Sequence, residues 1–131
     1  MRSRWIVDGN NVMGSRPDGW WRDRRGAMRR LVSELDAWAA ANREEVLVVF
    51  DGKPFAFEDT GDGIEVAFAT RAGRDAADDD IARIVTEDDD PSSITVVTSD
   101  AALAERVRAA GALVEGAGRL LKRLDGSQDW T

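Results

Sequence analysis

A chain of 131 residues with 43% hydrophobic content and a net charge of −7 is long enough for one domain around one real core. It holds no cysteine and no histidine, which excludes disulfides, thiolate nucleophiles, zinc–cysteine sites and the commonest general base. Carboxylates, amides, hydroxyls, sixteen Arg, two Lys or a bound ion are left to carry any chemistry. No apolar run approaches the ~20 residues of a membrane-spanning helix, and the Met-Arg-Ser-Arg start leads straight into a strand with no signal-peptide core, so the chain reads as cytoplasmic, with no membrane partner.

In chain order, Arg4-Trp5-Ile6-Val7-Asp8 is a short apolar strand that ends in an acid and runs into Gly9-Asn10-Asn11. Residues 27–41 repeat apolar side chains at helical spacing, with Met28, Leu31, Val32, Leu35, Trp38 and Ala39 on one face. Val46-Leu47-Val48-Val49-Phe50 is unbroken and rich in β-branched residues, as expected of a strand covered on both faces, and it too ends in an acid, Asp51, before Gly52. A loop over 52–63 leads to a third strand, Ile64 to Phe68. Ala76 to Val85 is helical, with Ala77, Ile81, Ile84 and Val85 inward, and a second loop over 87–93 carries Glu87-Asp88-Asp89-Asp90-Pro91. Ile94 to Thr98 is a fourth strand, followed by Ser99-Asp100. Residues 101–110 form a helix stopped at Gly111. Ala112 to Val114 is a short fifth strand and Gly118 to Leu124 a last helix. A single domain thus spans 1–124, and 125–131, with Trp130, reads as a loosely held tail.

Strands alternating with helices predict a three-layer α/β fold, a central parallel sheet of about five strands flanked by helices. In such a sheet all strand C-termini lie on one edge, where ligands bind. Asp8, Asp51 and Asp100 each stand just past a buried strand and therefore converge there. Two unit charges about 4 Å apart repel by roughly 4 kcal/mol at an effective dielectric near 20, so a fold that gathers acids offsets the repulsion with a cation or keeps one group protonated. Oxygen ligands without His or Cys suit Mg²⁺, Mn²⁺ or Ca²⁺ rather than Zn²⁺, and Mg²⁺ held by a few carboxylates and several waters is the usual partner of phosphate chemistry. Asp78, in Ala77-Asp78-Asp79-Asp80-Ile81, is the candidate fourth acid. The plain alternatives are that this triplet only favours the start of a helix, that Asp88-Asp89-Asp90 is a solvated loop, and that Asp100 caps the helix after it.

These residues resemble the NYN domains of the PIN-like superfamily, and within them the YacP-like group. The matching pieces are Ile6-Val7-Asp8-Gly9-Asn10-Asn11-Val12-Met13-Gly14, Val48-Val49-Phe50-Asp51-Gly52, Ala77-Asp78-Asp79-Asp80-Ile81, and Val96-Val97-Thr98-Ser99-Asp100 with Gly111-Ala112. No single piece is specific; their order and spacing over nearly the whole chain are. The resemblance implies a three-layer PIN-like (NYN) fold and an endonucleolytic ribonuclease that depends on Mg²⁺ or Mn²⁺. It implies Asp8, Asp51, Asp78 and Asp100 as catalytic metal ligands and Asn11 as support for the site or the phosphate. Thr98 and Ser99 would orient Asp100 or touch a phosphate. Its partner would be RNA, messenger or ribosome-associated. Two positions depart from the family pattern: Ala76 stands where Thr is usual, and Ala82 where Glu often follows Ile. Asp79 is a substitute for that Glu only from about 100° away around the helix.

Residues 1–30 hold eight Arg against three Asp, a net +5, which leaves −12 on the remainder. One basic end is compatible with RNA binding there. Within Ser15–Arg25, next to the strand-1 loop, Arg16, Arg22, Arg24 and Arg25 are candidate phosphate contacts, as is Lys53. Trp20 and Trp21 either stack on bases or pack the loop onto the helix, and Trp5 and Trp38 are packing residues. The rival reading is a catalytically weak or inactive PIN-like module that holds RNA or protein. A HAD-type phosphatase wants an acid two residues after the first Asp, where Asn10 stands. A receiver domain wants a late Lys after a strand, whereas Lys122 falls in the last helix. A toxin-type PIN nuclease shares the fold and chemistry, but the Asp-Gly-Asn-Asn start leans toward NYN.

Overall fold

A computed structural model describes residues 3–57, 60–70, 73 and 76–126. The strands richest in Val, Ile, Leu and Phe have no face to give to water, and they take the middle of the sheet. β1 (Arg4–Asp8) is central, with β2 (Glu45–Phe50) on one side and β4 (Ile94–Val97) on the other; β3 (Ile64–Phe68) and β5 (Leu113–Glu115) are the edges. The order is β3-β2-β1-β4-β5, and every pairing is parallel. The five-stranded parallel sheet expected from the sequence is therefore present.

Helices cover both faces. α1 (Gly9–Gly14), α2 (Arg24–Asn42) and α5 (Ala117–Gly126) bury Val12, Leu31, Leu35 and Leu120 against Val7, Val48 and Phe50. α3 (Ala76–Glu87) and α4 (Ala101–Ala109) bury Ile81, Val85, Leu103 and Val107 against Ile6, Val49, Ile94 and Val96. The chain leaves β1 for β2 under α2 and crosses to β4 under α3, so the strand order reverses at β1. The crevice between β1 and β4 is the switch point where such sheets hold ligands. Among the described residues between parallel β2 and β3 there is no helix; Phe55 and Phe57 pack on Phe50 and Phe68 instead.

Most boundaries shift by one or two residues, and three differences from the sequence reading have a clear local cause. α1 was not expected, because six residues carry too little periodicity to declare a helix. α2 starts at Arg24 rather than 27, since the Asp23 carboxylate accepts the Gly26 amide and caps it. α5 runs through Asp125 and Gly126, which the sequence had assigned to a tail, as Leu120, Leu121 and Leu124 all pack on the core. Trp130 lies outside the described residues.

Candidate active site at the C-terminal edge of the sheet

β1 delivers Asp8 to the switch point, 4% exposed. The next residue has room for no side chain: a Cβ on Gly9 would stand 2.5 Å from two atoms of the Phe50 ring, itself fully buried. Gly9→Ala is accordingly expected to cost about 1–3 kcal/mol through overpacking, read as a lower urea midpoint with unchanged slope; an unchanged midpoint would mean that the Phe50 ring yields freely.

The two asparagines that follow reach in opposite directions. Asn10 Oδ1 accepts the Asp51 amide at 2.7 Å, and Asn11 Oδ1 accepts the Ser99 amide at 2.8 Å. Consecutive side chains thus tie the end of β1 to the ends of β2 and β4, the strands on either side of it. Asn11 was a candidate from sequence. Asn10 was not, although its only signal, a second Asn in Asp-Gly-Asn-Asn, was in view.

Every acid expected at this edge meets a helix N-terminus. Asp51 Oδ1 accepts the Ala77 amide at the start of α3, at 2.9 Å. Asp100 Oδ1 accepts the Ala102 and Leu103 amides of α4 at 2.8 and 3.1 Å, the capping role weighed as an alternative. Ser99 Oγ accepts the Ala117 amide of α5 at 3.0 Å. Asp8 itself precedes α1. The positive helix ends offset part of the carboxylate repulsion. Thr98, buried, links two of the acids: its hydroxyl donates to Asp8 Oδ2 at 2.9 Å and accepts the Asp100 amide at 3.1 Å.

The Asp triplet separates by partner. Asp80 is buried and accepts both the amide and the hydroxyl of Thr70, at 2.7 and 3.0 Å, with Arg83 beside it, which holds its carboxyl below the usual range despite burial. It ties the first turns of α3 to Thr70, just past β3. Asp79 pairs with Arg106 of α4 at 2.9 Å. Asp78 faces Asp8. Burial pushes the Asp8 carboxyl up to about 7; the Thr98 hydroxyl opposes this, and the charges of Asp78 and Asp51 add to it. Asp80→Ala, which strands the Thr70 donors, should cost about 1–3 kcal/mol, whereas Asp79→Ala, breaking a half-exposed pair, should cost less than about 1 kcal/mol. Urea denaturation of both variants checks the order, and a reversed order would refute the division of roles.

Among the described residues no three acidic side chains stand close enough to form a ready-made metal cage. A Mg²⁺-sized ion needs only one or two carboxylates and keeps its other positions for water. A carboxylate raised to about 7 by its burial and, less, by the charges of Asp78 and Asp51 fits such an ion. The concavity of about 300 Å³ lined by Arg4, Leu47, Glu65 and Ile84 lies at the opposite edge and holds none of these residues.

The basic candidates divide as well. Arg16 is half-buried in an ion pair with Glu34 at 2.6 Å. Arg22 and Arg24 lie over Trp21 and Trp20, and Arg25 over Phe55. Lys53 is exposed just past Gly52.

The match that decides the family spans residues 5–130, against the model of the YacP-like NYN domain. The chain belongs to the YacP-like NYN domain family. This is a nuclease-type family, generally dependent on divalent metal. The structure is similar to that of Rae1 (YacP) from Bacillus subtilis, with TM-score 0.77 and 25% identity over 95% of this chain and 74% of that one. A tryptophan-to-leucine mutant of the same protein superposes with TM-score 0.75 and 24% identity, over 94% and 74%. No curated protein matches. Among the described residues no helix is long and apolar enough to cross a membrane. Ala82, where the resemblance implied Glu, is buried with Ile81 and Val85, so this face of α3 serves packing.

Proposed function

We propose that this YacP-like NYN domain is a Mg²⁺- or Mn²⁺-dependent ribonuclease that cuts RNA internally at the edge formed by Asp8, Asp51, Asp78 and Asp100. The observation that carries the reading is the buried Asp8 carboxylate, held up to about 7 by its burial and by Asp78 and Asp51. Asp8 and Asp78 would hold the ion, and the remaining oxygens of Asp51 and Asp100 would hold its waters. A bound ion there would neutralise charge growing on the phosphate and favour ionised water. The chain's own residues keep the acids in register. Thr98 fixes the rotation of the Asp8 carboxylate, Asn10 holds Asp51 and Asn11 holds the Ser99–Asp100 turn. The cytoplasm, with messenger or ribosome-associated RNA, is the proposed setting. Internal cutting is supported by the site's position on an open sheet edge, with Ser99 exposed and Asn10, Asn11 and Asp100 half-exposed, so that a strand can lie across it without threading an end.

The capping by Asp51 and Asp100 favours a second reading, a non-cutting module that holds RNA or protein. Purified protein given linear and circular labelled RNA with Mg²⁺, Mn²⁺ or EDTA separates the two. Metal-dependent linearisation of the circle is expected; binding without linearisation would establish the module. Asp100→Asn is the informative variant, because Asn caps a helix about as well as Asp, so a lost activity there reports on the site and not on the helix.

A further inference from the structure

Resting on the ribonuclease reading, we propose that the 3-10 turn Trp20–Arg22 and the first two turns of α2 form a track for an unpaired RNA strand approaching the acidic edge, with a base stacked on Trp21 and phosphates held by Arg22, Arg25 and Arg29. Trp21 is 59% exposed, yet its ring is braced edge-on, at 5.9 Å and 88°, by Trp20, which packs on the core. The Arg22 guanidinium lies 5.9 Å from the Trp21 ring centre, and those of Arg25 and Arg29 lie 4.8 and 5.0 Å from that of Phe55.

Charge sets this patch apart. Among the described residues Arg4, Arg16, Arg30, Arg83, Arg106 and Arg123 are each paired with a carboxylate. Arg43, Arg108 and Arg119 are not, but they stand singly; Arg22, Arg24, Arg25 and Arg29 are unpaired on adjacent turns, although acids outnumber Lys and Arg by 25 to 18. Their guanidinium faces lie on aromatic rings, which leaves the N–H edges free to donate to phosphate.

Position supports the same occupant. α2 ends at Asn42 and β2 starts at Glu45, opposite Arg4, so the C-terminal end of α2 lies at the N-terminal edge of the sheet. Its nineteen residues, at about 1.5 Å each, carry its first turns back toward the edge that holds Asp8. Phe55, under Arg25 and Arg29, lies four residues past Asp51, with Lys53 between them. An exposed indole offers a stacking face to an unpaired base, whereas paired bases in a duplex keep their faces covered.

The test is the affinity of a short labelled RNA, single-stranded or as a blunt duplex, for the full chain carrying Asp8→Asn in EDTA, so that nothing is cut. Trp21→Ala should weaken single-strand binding about five- to a hundredfold, and Trp21→Phe should recover most of it. Arg22→Gln/Arg25→Gln/Arg29→Gln should weaken it and flatten the log Kd versus log salt slope by about 2. Arg108→Gln, in the last turn of α4, should leave both unchanged. Duplex bound as tightly as single strand, variants that bind like the parent, or a parent that binds neither RNA would each overturn the track. Cleavage by the chain with native Asp8 is scored separately. Track-dependent binding without cutting keeps the track and removes the nuclease; cutting that the Trp21 and Arg variants leave unchanged keeps the nuclease and removes the track.

Discussion

Asp8→Asn is expected to lower metal-dependent RNA cleavage by about a thousandfold or more while leaving the chain folded. The side chain is nearly isosteric, and its oxygen can still accept the Thr98 hydroxyl, so the scaffold that Asn10 and Asn11 tie together survives. What disappears is the charge at the centre of the edge. Loss of one preorganised polar group from a site of this kind typically costs about 10²–10³-fold, and Asp8 both carries the charge and sits where Asp51 and Asp78 converge on it. Thr98→Val grades the effect. It keeps shape and charge but removes the donor that fixes the Asp8 carboxylate, and a supporting contact of this kind is worth about 10–100-fold. Initial rates on labelled RNA at saturating Mg²⁺ or Mn²⁺ give both numbers. Equal losses in the two variants, or retained cutting in Asp8→Asn, would remove Asp8 from the centre of the chemistry.

The second large effect concerns stability. The Asp8 carboxyl lies near 7 when folded and near 3.9 when exposed in the unfolded chain. Below about pH 4 both states are protonated and Asp8 contributes no pH dependence. Between about pH 4 and 7 the folded state holds the extra proton, so stability falls as pH rises, and above 7 the whole penalty is present. At roughly 1.36 kcal/mol per unit the penalty reaches about 4 kcal/mol. In EDTA, Asp8→Asn should therefore gain on wild type as pH goes from 4 to 8, and Mg²⁺ should narrow the gap by stabilising wild type alone. Urea denaturation at four pH values measures it. Parallel profiles for the two proteins would show that Asp8 ionises freely in the fold. An edge built this way carries a standing stability cost, of the kind a functional site retains and a purely structural one would have replaced.

Much of this was legible in the residues. β1, β2 and β4 end in acids, and unbroken Val–Ile–Leu–Phe runs must be covered on both faces. The sheet class and the shared edge of Asp8, Asp51 and Asp100 followed from period, composition and the acids that end the strands. The resemblance added the family. The rest was hidden for physical reasons. Asp78, Asp79 and Asp80 are about 100° apart around one helix, and only the packing of α3 on β1, β2 and α4 turns Asp80 toward Thr70 and Asp79 toward Arg106 and brings the charge of Asp78 to bear on Asp8. Arg16 and Arg22 look alike in sequence; Glu34, on α2, pairs with the first, and the second lies over Trp21.

By itself, then, the sequence determined the local terms: which of the longer segments are strands or helices, which acids end strands, which chemistries the absence of His and Cys excludes. Those properties depend on neighbours along the chain. The tertiary structure decided everything that depends on neighbours across it. It placed β1 between β2 and β4, so that Asn10 and Asn11 have different strands to hold; it set the Phe50 ring against position 9, so that only Gly fits; and it aimed four helix N-termini at one edge, so that the carboxylates there can coexist. Strand order and helix phase are set by burial summed over the whole chain, and no local pattern encodes them.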